Sequence, residues 1–198
     1  MSVLVVGLSH RSAAFDMLER VVVSYTDIGK VALRFLEREH VAEAMLLSTC
    51  NRVEVYAVVT TFHDGLAEII EVLTDECAMT SDDLTRHLYV HCAEAGVEHL
   101  FSVAAGLDSM VVGEPQILGQ LRGTYVNAQH AGTVGRTLHE SGNMRSEWQA
   151  RSQRDRGRRR GRLGARPSPC RGDRRAVWSV PDRSGGSPPI TTPLHGAS

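Results

Sequence analysis

The composition of the chain changes abruptly near residue 141, and that break limits what can fold. The last 58 residues hold 13 arginines, no lysine and 4 acids, a net charge of +9. They contain six of the seven prolines and eight of the 18 glycines, but no Phe or Tyr. Neither "RDRGRRRGRLGARPSPCRGDRR" nor "SGGSPPITTPLHGAS" shows an apolar period. Such a segment cannot bury enough apolar surface to offset its ordering entropy. The expectation is a globular domain over residues 1–140, carrying 9 basic and 19 acidic residues, followed by a disordered, basic Arg/Gly/Pro-rich tail over 141–198. The tail reads either as a basic arm attracted to nucleic acid or as out-of-frame translation of GC-rich DNA. The second reading is favoured, because the break falls inside a helical pattern and not at a turn.

The globular part alternates strand and helix patterns. "SVLVVGLSH" is an apolar strand buried on both faces. Thr26 to Arg38 predicts a helix with Ile28, Val31, Leu33, Phe35 and Leu36 on one side. Glu43 to Ser48 is a second strand. In a third, "RVEVYAVV", Val53, Val55, Ala57 and Val59 alternate with Arg52, Glu54 and Tyr56. Leu66 to Leu73 predicts a helix, Leu88 to His91 a short strand, and Val97 to Ala104 and Gln116 to Ala131 two further helices. This order predicts an α+β fold, a ferredoxin-like split βαβ sheet with flanking helices. No apolar run has the length of a membrane span, no basic segment of the signal-peptide kind opens the chain, and the four cysteines lack framework spacing. Reduced thiols and a cytoplasmic location are therefore expected.

The chemistry-bearing stretch is "LLSTCNRVEVY" (46–56), where Cys50 sits at the turn between two strands. A thiol attacks as its thiolate, and a nearby cation such as Arg52 lowers its pKa. Arg52 is equally suited to holding an anionic group by paired hydrogen bonds. A buried structural cysteine beside a turn is the plainer reading, and spacing alone favours it. "HLYVHC" puts His87 and His91 on one face of a strand, but a metal lacks a further ligand at suitable spacing. In "EHLFSVAAGLDSMVVGEPQILGQLRG", Glu114 and Pro115 fit a helix start. Capping does not account for Ser109, Gln116 and Gln120 gathering there. His99 reads as a core histidine or as an acid/base. No GxGxxG or Walker-type loop is present, and the glycines at 113, 119 and 123 do not follow a buried strand.

Together, "GLSHRSA" (7–13), "STCNRVEVY" (48–56) and "GLDSMVVGEPQILGQ" (106–120) resemble glutamyl-tRNA reductase in order and spacing. The likeness covers nearly all of residues 1–140. It implies that a thiolate attacks the ester joining glutamate to its tRNA and forms a thioester. NADPH then reduces that thioester to glutamate-1-semialdehyde, the first committed step toward 5-aminolevulinate and the tetrapyrroles, porphyrins included. Carried over, Cys50 is the nucleophile, and Thr49, Asn51 and Arg52 line the glutamate pocket, with Arg52 pairing a carboxylate. Ser109, Glu114, Pro115, Gln116 and Gln120 complete it, and His99 matches a histidine important for activity, by polarising the carbonyl or moving a proton. The resemblance also implies glutamyl-tRNA as partner, homodimers in intact members, glutamate-1-semialdehyde aminomutase as a further partner, and no metal.

The likeness stops near Leu138 to Glu140, where the family continues with a spinal helix, a Rossmann NADPH domain and a dimerisation domain. The chain shows none of these. The expectation is a truncated or frameshifted monomer, competent at most for the thioester step and binding tRNA weakly. Two rival readings are a non-catalytic tRNA-binding or regulatory fragment, which rests on the basic tail, and an inert product that folds poorly.

Overall fold

The third strand explains the architecture, because every one of its residues is buried although alternate ones are polar or bulky. Only a central strand covered on both sides meets that condition. The structure is a computed structural model that describes residues 1–142, apart from 25, 78 and 115. The tail expected over 141–198 lies outside the described residues but for its first two positions, which end a helix.

The chain runs β1 (Ser2–Ser9), α1 (Phe15–Val21), α2 (Ile28–Leu36), β2 (Val41–Thr49) and β3 (Arg52–Val59). It continues through α3 (Phe62–Cys77), α4 (Ser81–Thr85), β4 (Tyr89–Cys92), α5 (Ala93–Ala104), α6 (Gln116–Ala131) and α7 (Arg136–Gly142). The four strands lie in the order β2-β3-β1-β4, and each adjacent pair is antiparallel. The fold is thus α+β, as the order of sequence patterns predicts.

Period-2 alternation divides the strand residues between two cores. Leu4, Val6, Leu8, Ala44, Leu46, Val53, Val55 and Ala57 face one way and meet Leu18, Val21, Val31, Phe35, Leu66, Ile69 and Leu73 of α1 to α3. Val5, Met45, Leu47, Tyr56 and Val58 face the other way and meet Leu100, Val103, Ile117, Leu121, Ala128 and Leu138 of α5 to α7. Among the described residues, no helix is long and apolar enough to cross a membrane.

Some local expectations need correction. α2 is shorter than Thr26 to Arg38, and Leu33 is 45% exposed rather than in the core. A step of about 100° per residue carries position 33 off the stripe made by 28, 31 and 35. α3 extends well beyond Leu66 to Leu73 at both ends, since tertiary contact carries a helix past its apolar stripe. The short helices α1, α4 and α7 carry too few residues for a period to show. α4 is instead set by its cap, with the Thr80 hydroxyl accepting the Asp83 N–H at 3.2 Å.

Gly7 in β1 stands between Glu54 and Tyr89 on the neighbouring strands, on the face covered by α5. A Cβ there would lie 2.7 Å from both Glu54 Cγ and the Val53 carbonyl oxygen. The side-chain-free position lets the Tyr89 hydroxyl reach across to the Glu54 carboxylate. Gly7→Ala is therefore expected to lower stability by about 3 kcal/mol, read as a drop in the urea midpoint at unchanged slope.

Candidate active site

The hairpin β2–β3 places the thiol. Thr49 pairs with Arg52, leaving Cys50 and Asn51 as a two-residue turn. The Thr49 hydroxyl oxygen accepts the N–H of Asn51 at 3.3 Å and of Arg52 at 3.2 Å. Those bonds hold the turn in one shape and point Cys50 outward, where it is exposed. Cys77, also a free thiol, is buried in α3, and burial pushes it up to about 11 despite the opposing charge of Arg20. Of these two free thiols, Cys50 is the one placed to react.

A pocket opens over the turn. It is lined by His10, Thr49, Cys50, Asn51, Arg52, Ser109, Met110, Glu114, Gln116, Ile117 and Gln120. Eight residues singled out in the sequence meet here: Thr49, Cys50, Asn51, Arg52, Ser109, Glu114, Gln116 and Gln120. Pro115 lies outside the described residues. The far wall is the segment between α5 and α6, followed by the first turns of α6. That segment folds back on itself through the Gly113 N–H, which donates to the Gly106 carbonyl at 2.9 Å. Gly106 has φ +67, and a Cβ there would sit 3.0 Å from the Glu114 backbone, so the close return needs glycine.

Arg52 joins the two walls. It is 2% exposed, with Nη1 donating to Glu54 Oε1 at 2.8 Å. Its Nη2 donates to the Asp108 carbonyl at 2.6 Å and lies 3.3 Å from Asp108 Oδ2. Asp108 Oδ1 in turn receives Arg11 Nη1 at 2.8 Å. Both terminal nitrogens of Arg52 are thus engaged by the protein, which differs from a guanidinium left wholly open to a substrate carboxylate. Burial works against its charge, but Glu54, Tyr89, Tyr56 and Asp108 together raise its pKa.

Behind Arg52 lies a buried polar network that the sequence pattern did not reveal. Glu54 is fully buried and accepts from Arg52, from the hydroxyls of Tyr56 and Tyr89, and from His99 Nε2 at 3.0 Å. Burial alone would raise the Glu54 carboxyl. The hydrogen bond and charge of His99, with Arg52 and the Tyr56 hydroxyl, outweigh it and hold the group at about 2. Burial, then the Glu54 charge, pushes both tyrosines well above their ordinary value.

His99 does not line the pocket; it belongs to this network and stacks on His91, with centroids 4.4 Å apart and planes 18° from parallel. Its path to the thiol runs through Glu54 and Arg52. His87 does not share a strand face with His91: it lies ahead of β4, with Nδ1 3.1 Å from the Ser12 carbonyl. Among the described residues, no group of three or more His, Cys, Asp or Glu side chains is placed to hold a metal ion. Nor do the described residues form a dinucleotide cradle. Gly119 and Gly123 lie within α6 with open space beside them, and the sheet has no parallel strand pair to form a nucleotide crevice.

Comparison with known proteins agrees with this geometry. The family model for the N-terminal domain of glutamyl-tRNAGlu reductase matches residues 6–148, a few residues past the boundary read from composition. A glutamyl-tRNA reductase of Thermobifida fusca (strain YX) is 54% identical over 142 residues, covering 72% of this chain and 30% of that protein. The solved glutamyl-tRNA reductase from Methanopyrus kandleri superposes with a TM-score of 0.58 at 29% identity, covering 77% of this chain and 34% of the other. The chain thus spans about a third of the length of these relatives. A match over most of the folded residues, in sequence and in structure, places the chain in the glutamyl-tRNA reductase family, where it corresponds to the N-terminal domain.

Proposed function

We propose that this chain takes the glutamyl group from glutamyl-tRNA onto Cys50 as a thioester, the opening step of a route to tetrapyrroles. The observation that carries the reading is the exposed thiol at the mouth of a pocket walled by polar groups. Sulfur is a strong nucleophile and a thioester accepts hydride more readily than an ester, so acyl capture prepares the carbonyl for reduction. In this reading Asn51, Ser109, Glu114, Gln116 and Gln120 supply donors and acceptors for the amino acid's polar ends. Arg52 contributes a fixed positive charge to the pocket wall and holds that wall together. His99 acts as a positioning residue through Glu54.

The strand order and the all-antiparallel pairing also support reading the sheet as a ferredoxin-like split βαβ arrangement. NADPH would supply hydride to the thioester in the family's full reaction. The residues described here do not fit that cofactor, and no hydride step is assigned to them.

The reading is tested by mixing the purified 198-residue chain with tRNA charged with isotopically labelled glutamate and mapping the product by mass spectrometry. A glutamyl adduct confined to the Cys50 peptide is expected, discharged by hydroxylamine. Free glutamate and uncharged tRNA with no protein adduct at any time point would overturn it.

A further inference from the structure

The pocket holds one imidazole that the sequence reading left without a role. His10 follows the last residue of β1, and its backbone N–H donates to the Asn51 carbonyl at 2.9 Å. That bond ties it to the two-residue turn carrying the thiol, and its side chain lines the same pocket as Cys50. Its Nδ1 is buried and makes no hydrogen bond, a costly state for a ring nitrogen. Other imidazoles are engaged: His99 with Glu54, His40 with Glu68, His87 with the Ser12 carbonyl. Of the charged groups lining the pocket, Arg52 has no lone pair to offer a proton.

We propose that His10 is the catalytic base that accepts the Cys50 thiol proton, its ring lining the same pocket as the sulfur and its Nδ1 having no other partner. The substrate named here rests on the function proposed above, whereas the proton transfer does not. The thiol proton passes to the imidazole as the sulfur lone pair forms the S–C bond to the ester carbonyl carbon. Collapse of the tetrahedral adduct breaks the bond from that carbon to the terminal ribose oxygen of the tRNA. That oxygen takes the proton back from His10, so the ring returns to neutral and one thioester and one free tRNA result.

The surroundings suit a base that is unprotonated at rest. Burial, then Arg52 on β3 and Arg11 beside it, lower the His10 pKa, against weaker opposing effects of Asp108 and of the backbone bond to Asn51. Cys50 and Glu114 are the other titratable groups lining the pocket with it.

The test is the rate of Cys50 alkylation by iodoacetamide from pH 6 to 9.5, quantified by mass spectrometry on the Cys50 peptide. Wild type, His10→Gln and His10→Asn are compared, with thermal melts identifying any variant that fails to fold. At pH 7 the folded variants are expected to react about tenfold more slowly, and near pH 9.5, where hydroxide in solution can replace a protein base, to come within about twofold of wild type. Coincident profiles, or a reduction of equal size at every pH, would overturn the assignment. Glutamate capture from charged tRNA is measured alongside. Separated alkylation profiles with no glutamate uptake by any protein would keep His10 as the thiol's base and remove the substrate reading. Uptake by the variants at the wild-type rate would remove His10 and keep that reading.

Discussion

Replacing Cys50 with serine is expected to reduce glutamate capture by about a thousandfold or more. A hydroxyl is a far weaker acid than a thiol and a poorer nucleophile at neutral pH. The thioester itself cannot form without sulfur. The substitution should leave the fold alone. Cys50 is exposed in a turn whose shape is held by the Thr49 hydroxyl and not by the thiol. Stability should therefore stay within about 0.5 kcal/mol of wild type. The measurement is transfer of labelled glutamate to protein under single-turnover conditions, with a urea titration of each protein. Capture at the wild-type rate by folded Cys50→Ser would remove the thiol from the mechanism.

Glu54→Ala is expected to cost about 4 kcal/mol of stability. The charge lost is buried, and the groups that relied on it are buried as well. Arg52 would lose the carboxylate on Nη1, while the Tyr56 and Tyr89 hydroxyls and His99 would lose their acceptor. Uncompensated polar groups in a closed interior cost more than the bonds themselves contribute. The same residue sets an acid dependence. Its folded pKa of about 2 lies below the 4.5 of a carboxyl in the unfolded chain. The folded state thus favours the charged form, and the associated stability is complete above about pH 4.5. It is lost as pH falls toward 2, in total about 3 kcal/mol. Urea midpoints measured from pH 6 to 2.5 should decline in wild type and decline less in Glu54→Gln. Parallel declines in both would show that another group governs the acid limb.

These two effects live on different links between sequence and function. Cys50 acts at the surface, in a turn that could be read from "STCNRV". Glu54 acts through Arg52, which joins the thiol's hairpin to the segment carrying Asp108 and Ser109. Loss of Glu54 should therefore disturb the pocket without touching the thiol. A residue at the pocket wall and a residue behind it can thus share one phenotype for different physical reasons.

Much was legible because its signal is local. The alternation in "RVEVYAVV" and the four-residue recurrence of Ile117, Leu121 and Tyr125 each report which positions share a face. Helix α6 matches the predicted Gln116 to Ala131 span for that reason. The pocket residues were found by likeness of motif to a known family, and eight of them do meet in space. Composition alone separated the apolar, acidic front from an Arg-rich end with no period.

What tertiary structure decided was the meaning of the polar residues on β3. A strand read by itself places Arg52, Glu54 and Tyr56 on a face that water could cover equally well. Because β3 lies inside the sheet and α5 and α6 cover that face, the same residues become a closed network held together by charge. The roles of Gly7 and His10 were hidden for the same reason. One is defined by side chains on neighbouring strands, the other by a turn more than 40 residues away in the chain. Periodicity records the direction in which a side chain points; the partner waiting there is set by elements distant in sequence.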